Sequence, residues 1–219
     1  MCSRFSFVAS QEDIENQFGI DPDKPLRTSY NIGATQHAHI ITNENPNRLQ
    51  YVTWGLIPSF SDNGRNTGRL INARKENISG QTSFRIPIRK KRCLVLADSF
   101  YEWRSEGGKK IPYRIKLKSD KLMAIAGIWD EWNDGGYGLR SFTIITTEAN
   151  QEMSSIYSRM PVILSTKEAQ EKWLGEMDIA QTLDMLRTPP NDTLYMYRIS
   201  SKINDLSFNN VLLHQNLAQ

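Results

Sequence analysis

Cysteine is scarce in this chain of 219 residues, with Cys2 and Cys93 the only two. That excludes a disulfide scaffold. Histidine occurs three times, and with two cysteines so far apart it supplies no ligand-spaced cluster, so no metal site and no cofactor is expected. No apolar run approaches the ~18 residues that a membrane span requires. Met1-Cys2-Ser3-Arg4-Phe5 has no basic leader ahead of a long apolar region, so no signal peptide is expected. Internal repeats, low-complexity tracts and evident linkers are also missing. These absences describe a cytoplasmic protein in a reducing compartment, with free thiols and no membrane partner.

What is present fits a folded domain. Hydrophobic residues make up 39% of the chain, and five Trp, eight Tyr and eight Phe exclude a disordered polymer. The length suits one domain over 1–219 with a substantial core, and a monomer is expected. The net charge of +3 hides an asymmetry: between Arg65 and Lys121 lie sixteen Lys and Arg against five Asp and Glu. A basic middle in an acidic frame suits a polyanion-binding face, or simply a solvated basic region.

Ser10, followed by Gln11-Glu12-Asp13 and closed by Gly19, reads as a short capped helix. Strand patterns cover His39–Thr42, Leu49–Trp54, Cys93–Ala97, Tyr113–Lys118, Leu122–Trp129, Ser141–Thr147 and Leu194–Ile199. Tyr113 to Lys118 alternates strictly, which predicts one buried and one basic face. Gly107-Gly108 and Asp134-Gly135-Gly136 mark hairpin turns. Ser165 or Thr166 caps a helix through Trp173, Asp178–Arg187 forms another, and residues 207–219 are expected to fray. The sum is an α+β domain with a mainly antiparallel, barrel-like β core and a few short helices.

Cys2 is the most suggestive single residue. Removal of Met1 would leave an N-terminal cysteine, with an α-amine of pKa ~7.7–8.0 beside a thiol of pKa ~8.5. Two adjacent nucleophiles suit attack on an acyl centre, or condensation with an aldehyde in which the amine forms an imine and the thiol closes a thiazolidine. An incidental cysteine at position 2 is the plain alternative.

Four separated motifs bear on that choice: Met1-Cys2-Ser3-Arg4-Phe5, Asn72-Ala73-Arg74-Lys75-Glu76, Arg92-Cys93 through Tyr101-Glu102-Trp103, and Thr146-Thr147-Glu148-Ala149-Asn150 followed by Ile156-Tyr157-Ser158-Arg159-Met160-Pro161. In this order they resemble the SRAP (SOS response-associated peptidase) family of abasic-site-processing proteins, from Cys2 to about Ile199. The resemblance implies a single SRAP-like domain that binds single-stranded DNA and forms a thiazolidine crosslink to abasic sites through Cys2, shielding the lesion during the DNA damage response. It also implies autoproteolytic loss of Met1, hence hydrolase and peptidase terms, and lyase behaviour. The alternatives are an N-terminal-nucleophile cysteine hydrolase, or a non-covalent single-stranded-DNA-binding relative.

The resemblance also assigns residues. Cys2 matches the crosslinking residue, Asn72 the asparagine that holds the lesion sugar, and Glu102 the acid that shuttles protons. Arg4, Arg74 and Arg159 match arginines that contact phosphates, with Arg85 joining them, and the fork of a guanidinium suits that task. Trp54, Leu56 and Pro58 match an apolar wedge beside the lesion, with Trp54 a candidate for base stacking or for the core. Met160 and Pro161 are placed with the DNA-binding set. Arg89-Lys90-Lys91-Arg92 is a denser basic cluster that reads more readily as a solvated face.

Departures from the family pattern are Ser3 in place of glycine, Leu96 and Ser99 in place of proline and glycine, and Tyr157 in place of histidine. The last exchanges an imidazole for a phenol of pKa ~10, which puts any histidine-dependent step in doubt. His37 and His39 read as solvent-exposed strand residues, Cys93 as a buried small hydrophobe, and Trp129, Trp132 and Trp173 as core or rim packing.

Overall fold

Short apolar runs with β-branched and aromatic side chains recur along the sequence, and the computed structural model, which describes residues 2–217, is correspondingly built on strands. In chain order they are β1 (Arg4–Phe7), β2 (Ser29–Gly33), β3 (His37–Thr42), β4 (Asn45–Trp54), β5 (Asn72–Arg74), β6 (Arg92–Ala97), β7 (Ser99–Glu106), β8 (Lys109–Leu117), β9 (Met123–Asn133), β10 (Gly138–Glu148), β11 (Arg159–Pro161) and β12 (Leu194–Arg198). Short helices intervene: α1 (Gln11–Phe18), α2 (Pro87–Lys90), α3 (Gln151–Ser154), α4 (Lys167–Leu174) and α5 (Ile179–Asp184).

The strands form two layers. One sheet runs β12-β8-β7-β1-β2, antiparallel throughout. The other closes on itself as a five-stranded barrel, β10-β4-β3-β6-β9 and back to β10, antiparallel except where β4 runs parallel to β10. Closure leaves no unpaired edge in the ring. Strands β5 and β11 are short additions to the far end of β10. The expected α+β class and barrel-like core are both present.

Local chemistry explains the ends of the helices. Ser10 accepts the Asp13 amide while the Asp13 carboxylate accepts the Ser10 amide, and Gly19 closes α1 in the left-handed region at φ 70°. Thr166 caps α4 and Asp178 caps α5. Each such cap contributes on the order of 1 kcal/mol.

The main core fills the barrel and the space under β1, with Phe5, Phe7, Ile40, Trp54, Cys93, Ile125, Phe142 and Trp173 fully or almost fully buried. A second, smaller cluster on the five-stranded sheet joins Tyr101, Tyr197, Ile199, Ile203 and Leu213. Here two expectations are corrected. Arg114 does not sit on a solvated basic face; it is buried, donating to Asp98 Oδ2 at 2.6 Å, Ser99 Oγ at 2.8 Å and Tyr197 Oη at 2.5 Å. The described part of the 207–219 segment does not fray. Val211–His214 forms a 3₁₀ turn that buries Leu213, and the Leu217 amide donates to the Arg198 carbonyl. This segment covers the sheet face that alternation alone assigned to water.

Histidine placement also differs from expectation. His37 is exposed, but His39 is buried between Phe7 and Tyr51, and its Nε2 accepts the Arg27 amide at 3.1 Å. Burial holds its pKa down to about 4, so the ring is neutral. Of the basic cluster, Arg92 turns inward and donates to the carbonyls of Trp173, Arg89 and Gly175, while Lys91 pairs with Asp130.

Candidate active site around Cys2

Cys2 precedes β1, the strand laid between β2 and β7, and Asn72 opens β5 on the barrel. The two layers meet at these residues: Asn72 Nδ2 donates to the Cys2 carbonyl at 2.8 Å. The Cys2 thiol is buried and donates to the Arg4 carbonyl at 3.6 Å. Burial pushes its pKa up, and the negative charge of Glu102 adds to the effect, so the resting group is a thiol. The carbonyl oxygen of the Asn72 amide remains available, because buried Oδ1 has no hydrogen-bond partner.

Glu102 lies on β7, next in line after the Arg4–Tyr101 pairing of β1 with β7. It is 3% exposed. Desolvation raises its pKa to about 7, against the opposing pull of the Trp103 amide and the Lys110 ammonium. A carboxyl poised there exchanges protons readily in either direction near neutral pH.

Ser3, Arg4, Glu102, Trp103, Lys110, Tyr157 and Asn204 line an open cleft of about 380 Å³ beside Cys2. Tyr157 is half-buried in its wall, at the end of the turn after α3. Arg4 is half-buried as well, and its Nη1 donates to the Ser3 carbonyl at 2.8 Å. Its guanidinium lies against Gly33, where a Cβ would come within 3.1 Å of Nη1 and 2.6 Å of Leu206, so a side chain there would displace the ends of both. Sequence reasoning missed Trp103, Lys110 and Asn204 as cleft residues. The Glu102-flanking position of Trp103 was visible, but Lys110 reaches the cleft only through the β7–β8 hairpin.

The remaining site assignments separate. Arg74 is exposed on β5 and Arg85 is exposed before α2. Arg159 is committed: it makes a bidentate pair with Glu76 at 2.7 and 3.0 Å and donates to the Thr146 carbonyl. Trp54 is corrected to a core residue, with no exposed surface, its ring edge-on to Phe5 and its Nε1 donating to the Ile71 carbonyl. Leu56 is buried too, whereas Pro58 is half-buried and Phe60, 58% exposed, is the accessible aromatic of that stretch. Met160 and Pro161 are likewise corrected; both are buried, and Met160 Sδ accepts the Asn150 amide. These four side chains cannot reach a bound strand without leaving the core.

A family model described as SOS response associated peptidase (SRAP) matches residues 1–206. The abasic site processing protein YoqW of Bacillus subtilis (strain 168) is 42% identical over 214 residues, covering 93% of this chain and 94% of its own. The abasic site processing protein HMCES of Gallus gallus is 32% identical over 213 residues, covering 82% of this chain and 63% of its own. A crystal structure of a Bacteroides thetaiotaomicron protein superposes with a TM-score of 0.88 at 32% identity, covering 98% of this chain and 99% of that one.

Proposed function

The chain belongs to the SOS response associated peptidase (SRAP) family, and from that premise we propose that it processes abasic sites by capturing them in single-stranded DNA through Cys2. The observation that carries this reading is the hydrogen bond from Asn72 to the Cys2 carbonyl, beside a buried acid whose pKa is about 7.

The chemistry begins once Met1 is gone, through a separate aminopeptidase or through the Cys2 thiol itself; that processing lies outside the described residues. Glu102 protonates the ring oxygen of the abasic sugar, opening it to an aldehyde. The free α-amine of Cys2 adds to the aldehyde carbon, and the carbinolamine loses water, with its hydroxyl protonated, to give an imine. The Sγ then adds to the imine carbon, forming the C–S bond of a thiazolidine. Its proton passes to the Glu102 carboxylate or to the imine nitrogen. Overall, amine, thiol and aldehyde give thiazolidine and water. The partnerless Asn72 Oδ1 is positioned next to Cys2 to accept a sugar hydroxyl, and Arg4 and Arg74 supply cations for flanking phosphates. Tyr157 presents a phenol hydroxyl from the cleft wall. Lyase turnover, strand scission at the captured site, would draw on the same imine.

Mass spectrometry of protein mixed with abasic single-stranded DNA tests the reading. Mature protein should form an adduct smaller by one water than the sum of its parts. Cys2→Ala should bind without that adduct, as should protein that retains Met1. An adduct on Met1-retaining protein contradicts the amine-first step. An acyl-enzyme with amide substrates would instead favour the N-terminal-nucleophile reading, and unchanged behaviour of Cys2→Ala the non-covalent one.

A further inference from the structure

A second concavity, of about 520 Å³, opens on the face of β3 and β4 that carries His37, His39, Tyr51 and Thr53, and it shares no lining residue with the Cys2 cleft. Its floor is an ordered stack. His39 and Tyr51 are paired across β3 and β4, with ring centroids 4.9 Å apart. The exposed His37 ring lies nearly parallel to Tyr51, 5.3 Å away at 23°. The Arg27 guanidinium sits 4.9 Å from the Tyr51 centroid.

The charges around this stack are unbalanced. Arg48 is paired with Asp23, and Arg140 with Glu131 and Glu44. Lys24 and Arg27 also line the concavity, are exposed, and make no ion pair among the described residues. Two cations therefore face the opening uncompensated. His39 adds a third feature. Its Nε2 accepts the Arg27 amide, so the ring hydrogen is on Nδ1, and buried Nδ1 has no hydrogen-bond partner. A buried donor without an acceptor is costly, and the packing of His39 between Phe7 and Tyr51 holds the floor of the stack in place against that cost.

We propose that this cleft binds a nucleotide unit, its base extending the His37–Tyr51 stack and its phosphate held by Arg27 and Lys24. An aromatic and guanidinium platform recognises a planar ring irrespective of base identity, and the free cations select for a phosphate on the same ligand. The volume is within the range of small-molecule sites. A free mononucleotide and one nucleotide of a DNA strand share this chemistry. The inference does not depend on the reaction at Cys2.

Two undamaged probes test it: adenosine 5′-monophosphate by calorimetry, and a 5′-labelled oligodeoxyadenylate by fluorescence anisotropy. Arg27→Ala, Lys24→Ala and His37→Ala change exposed side chains, and circular dichroism verifies their fold. Arg27→Ala and His37→Ala should each weaken binding by about 5-fold or more, the lower end of a lost stacking or cation–π contact. Weakened mononucleotide binding assigns the site to free nucleotides, and weakening confined to the oligonucleotide assigns it to a strand. Folded variants with wild-type affinity for both probes, or a wild-type protein that binds neither, overturn the proposal. Crosslinking to abasic DNA, run on the same variants, reports separately on Cys2.

Discussion

The Asn72 side chain ties the carbonyl of Cys2 to the barrel across a 2.8 Å hydrogen bond, joining residues seventy positions apart in the chain. This bond holds the backbone on the downstream side of the reactive residue, so the thiol and the amine keep a fixed relation to the cleft. Asn72→Ala removes it and leaves the Cys2 carbonyl to find another donor. With one hydrogen bond worth ~1 kcal/mol, adduct formation should slow by about 5- to 10-fold while DNA affinity stays near wild type. Timed gels and anisotropy on the same preparation separate the two quantities.

Glu102 makes the reaction acid-favoured. Its pKa of about 7 means that the protonated form prevails below neutrality and disappears above it. Crosslinking should therefore rise as pH falls from 8 towards 6, until protonation of the Cys2 amine reverses the trend. Glu102→Gln should lose the limb governed by the acid. The same shift carries a sign for stability: a carboxyl raised in the folded state favours folding below its unfolded pKa, and that contribution is lost as pH rises through about 7. Glu102→Gln should thus gain in Tm relative to wild type more at pH 8 than at pH 5, as read by scanning calorimetry.

Tyr157 stands in the cleft wall with Arg4, Glu102 and Lys110. A well-placed base typically contributes ~10²–10⁴-fold, and a phenol at neutral pH supplies little of it. Tyr157→His should speed both capture and release, release more, measured by chasing a preformed crosslink with excess competing abasic DNA. Rates within about a factor of two of wild type would make this position one of packing alone, far below the ~10²-fold floor for a working base.

Charge contacts should divide by what the arginines already hold. Arg74 is exposed and makes no ion pair among the described residues, so Arg74→Ala should flatten the log–log salt dependence of single-stranded DNA binding by ~0.7. Arg159 is neutralised by Glu76, whose carboxyl it holds below the usual range. Glu76→Gln should free that guanidinium, tightening binding and steepening the salt slope. Equal slopes in Glu76→Gln and wild type would mean that Arg159 serves only to fix β11 against β5.

Leu213 tests the C-terminal cover. It is fully buried against Tyr101, Tyr197 and Ile203. Leu213→Ala should cost about 2–5 kcal/mol by chemical denaturation, and a cost below about 0.5 kcal/mol would show a surface that does not need the segment.

The longer strands were legible in sequence because each carries a compact apolar run that is buried from end to end, as in Arg92–Ala97 and in the middle of Gly138–Glu148, and the α1 cap was legible because Ser10, Asp13 and Gly19 act locally. Short strands such as Asn72–Arg74 and Arg159–Pro161 were not, since three residues carry no period and exist only by pairing with β10. At the site, Cys2, Glu102 and Tyr157 were readable from motif and chemistry. Trp54 and Met160 misled because a motif records that a side chain is needed, not whether it faces the ligand or holds the wall behind it. Arg114 misled for a related reason: alternation says which residues share a face, and only the distant partner, here Tyr197 and the segment after it, decides whether that face meets water.

Strand β10 acts as a ruler. Asn72 stands opposite Ile144, Arg74 opposite Thr146 and Arg159 opposite Glu148. Rungs 144 and 148 are four residues apart, a length of about 13 Å at the rise of a β-strand. The interval between the group that fixes the reactive residue and the last of these cations is thus gauged by a hydrogen-bonded ladder embedded in a closed ring. Loops could drift in length without altering it, whereas a one-residue slip of β10 would move all three marks together.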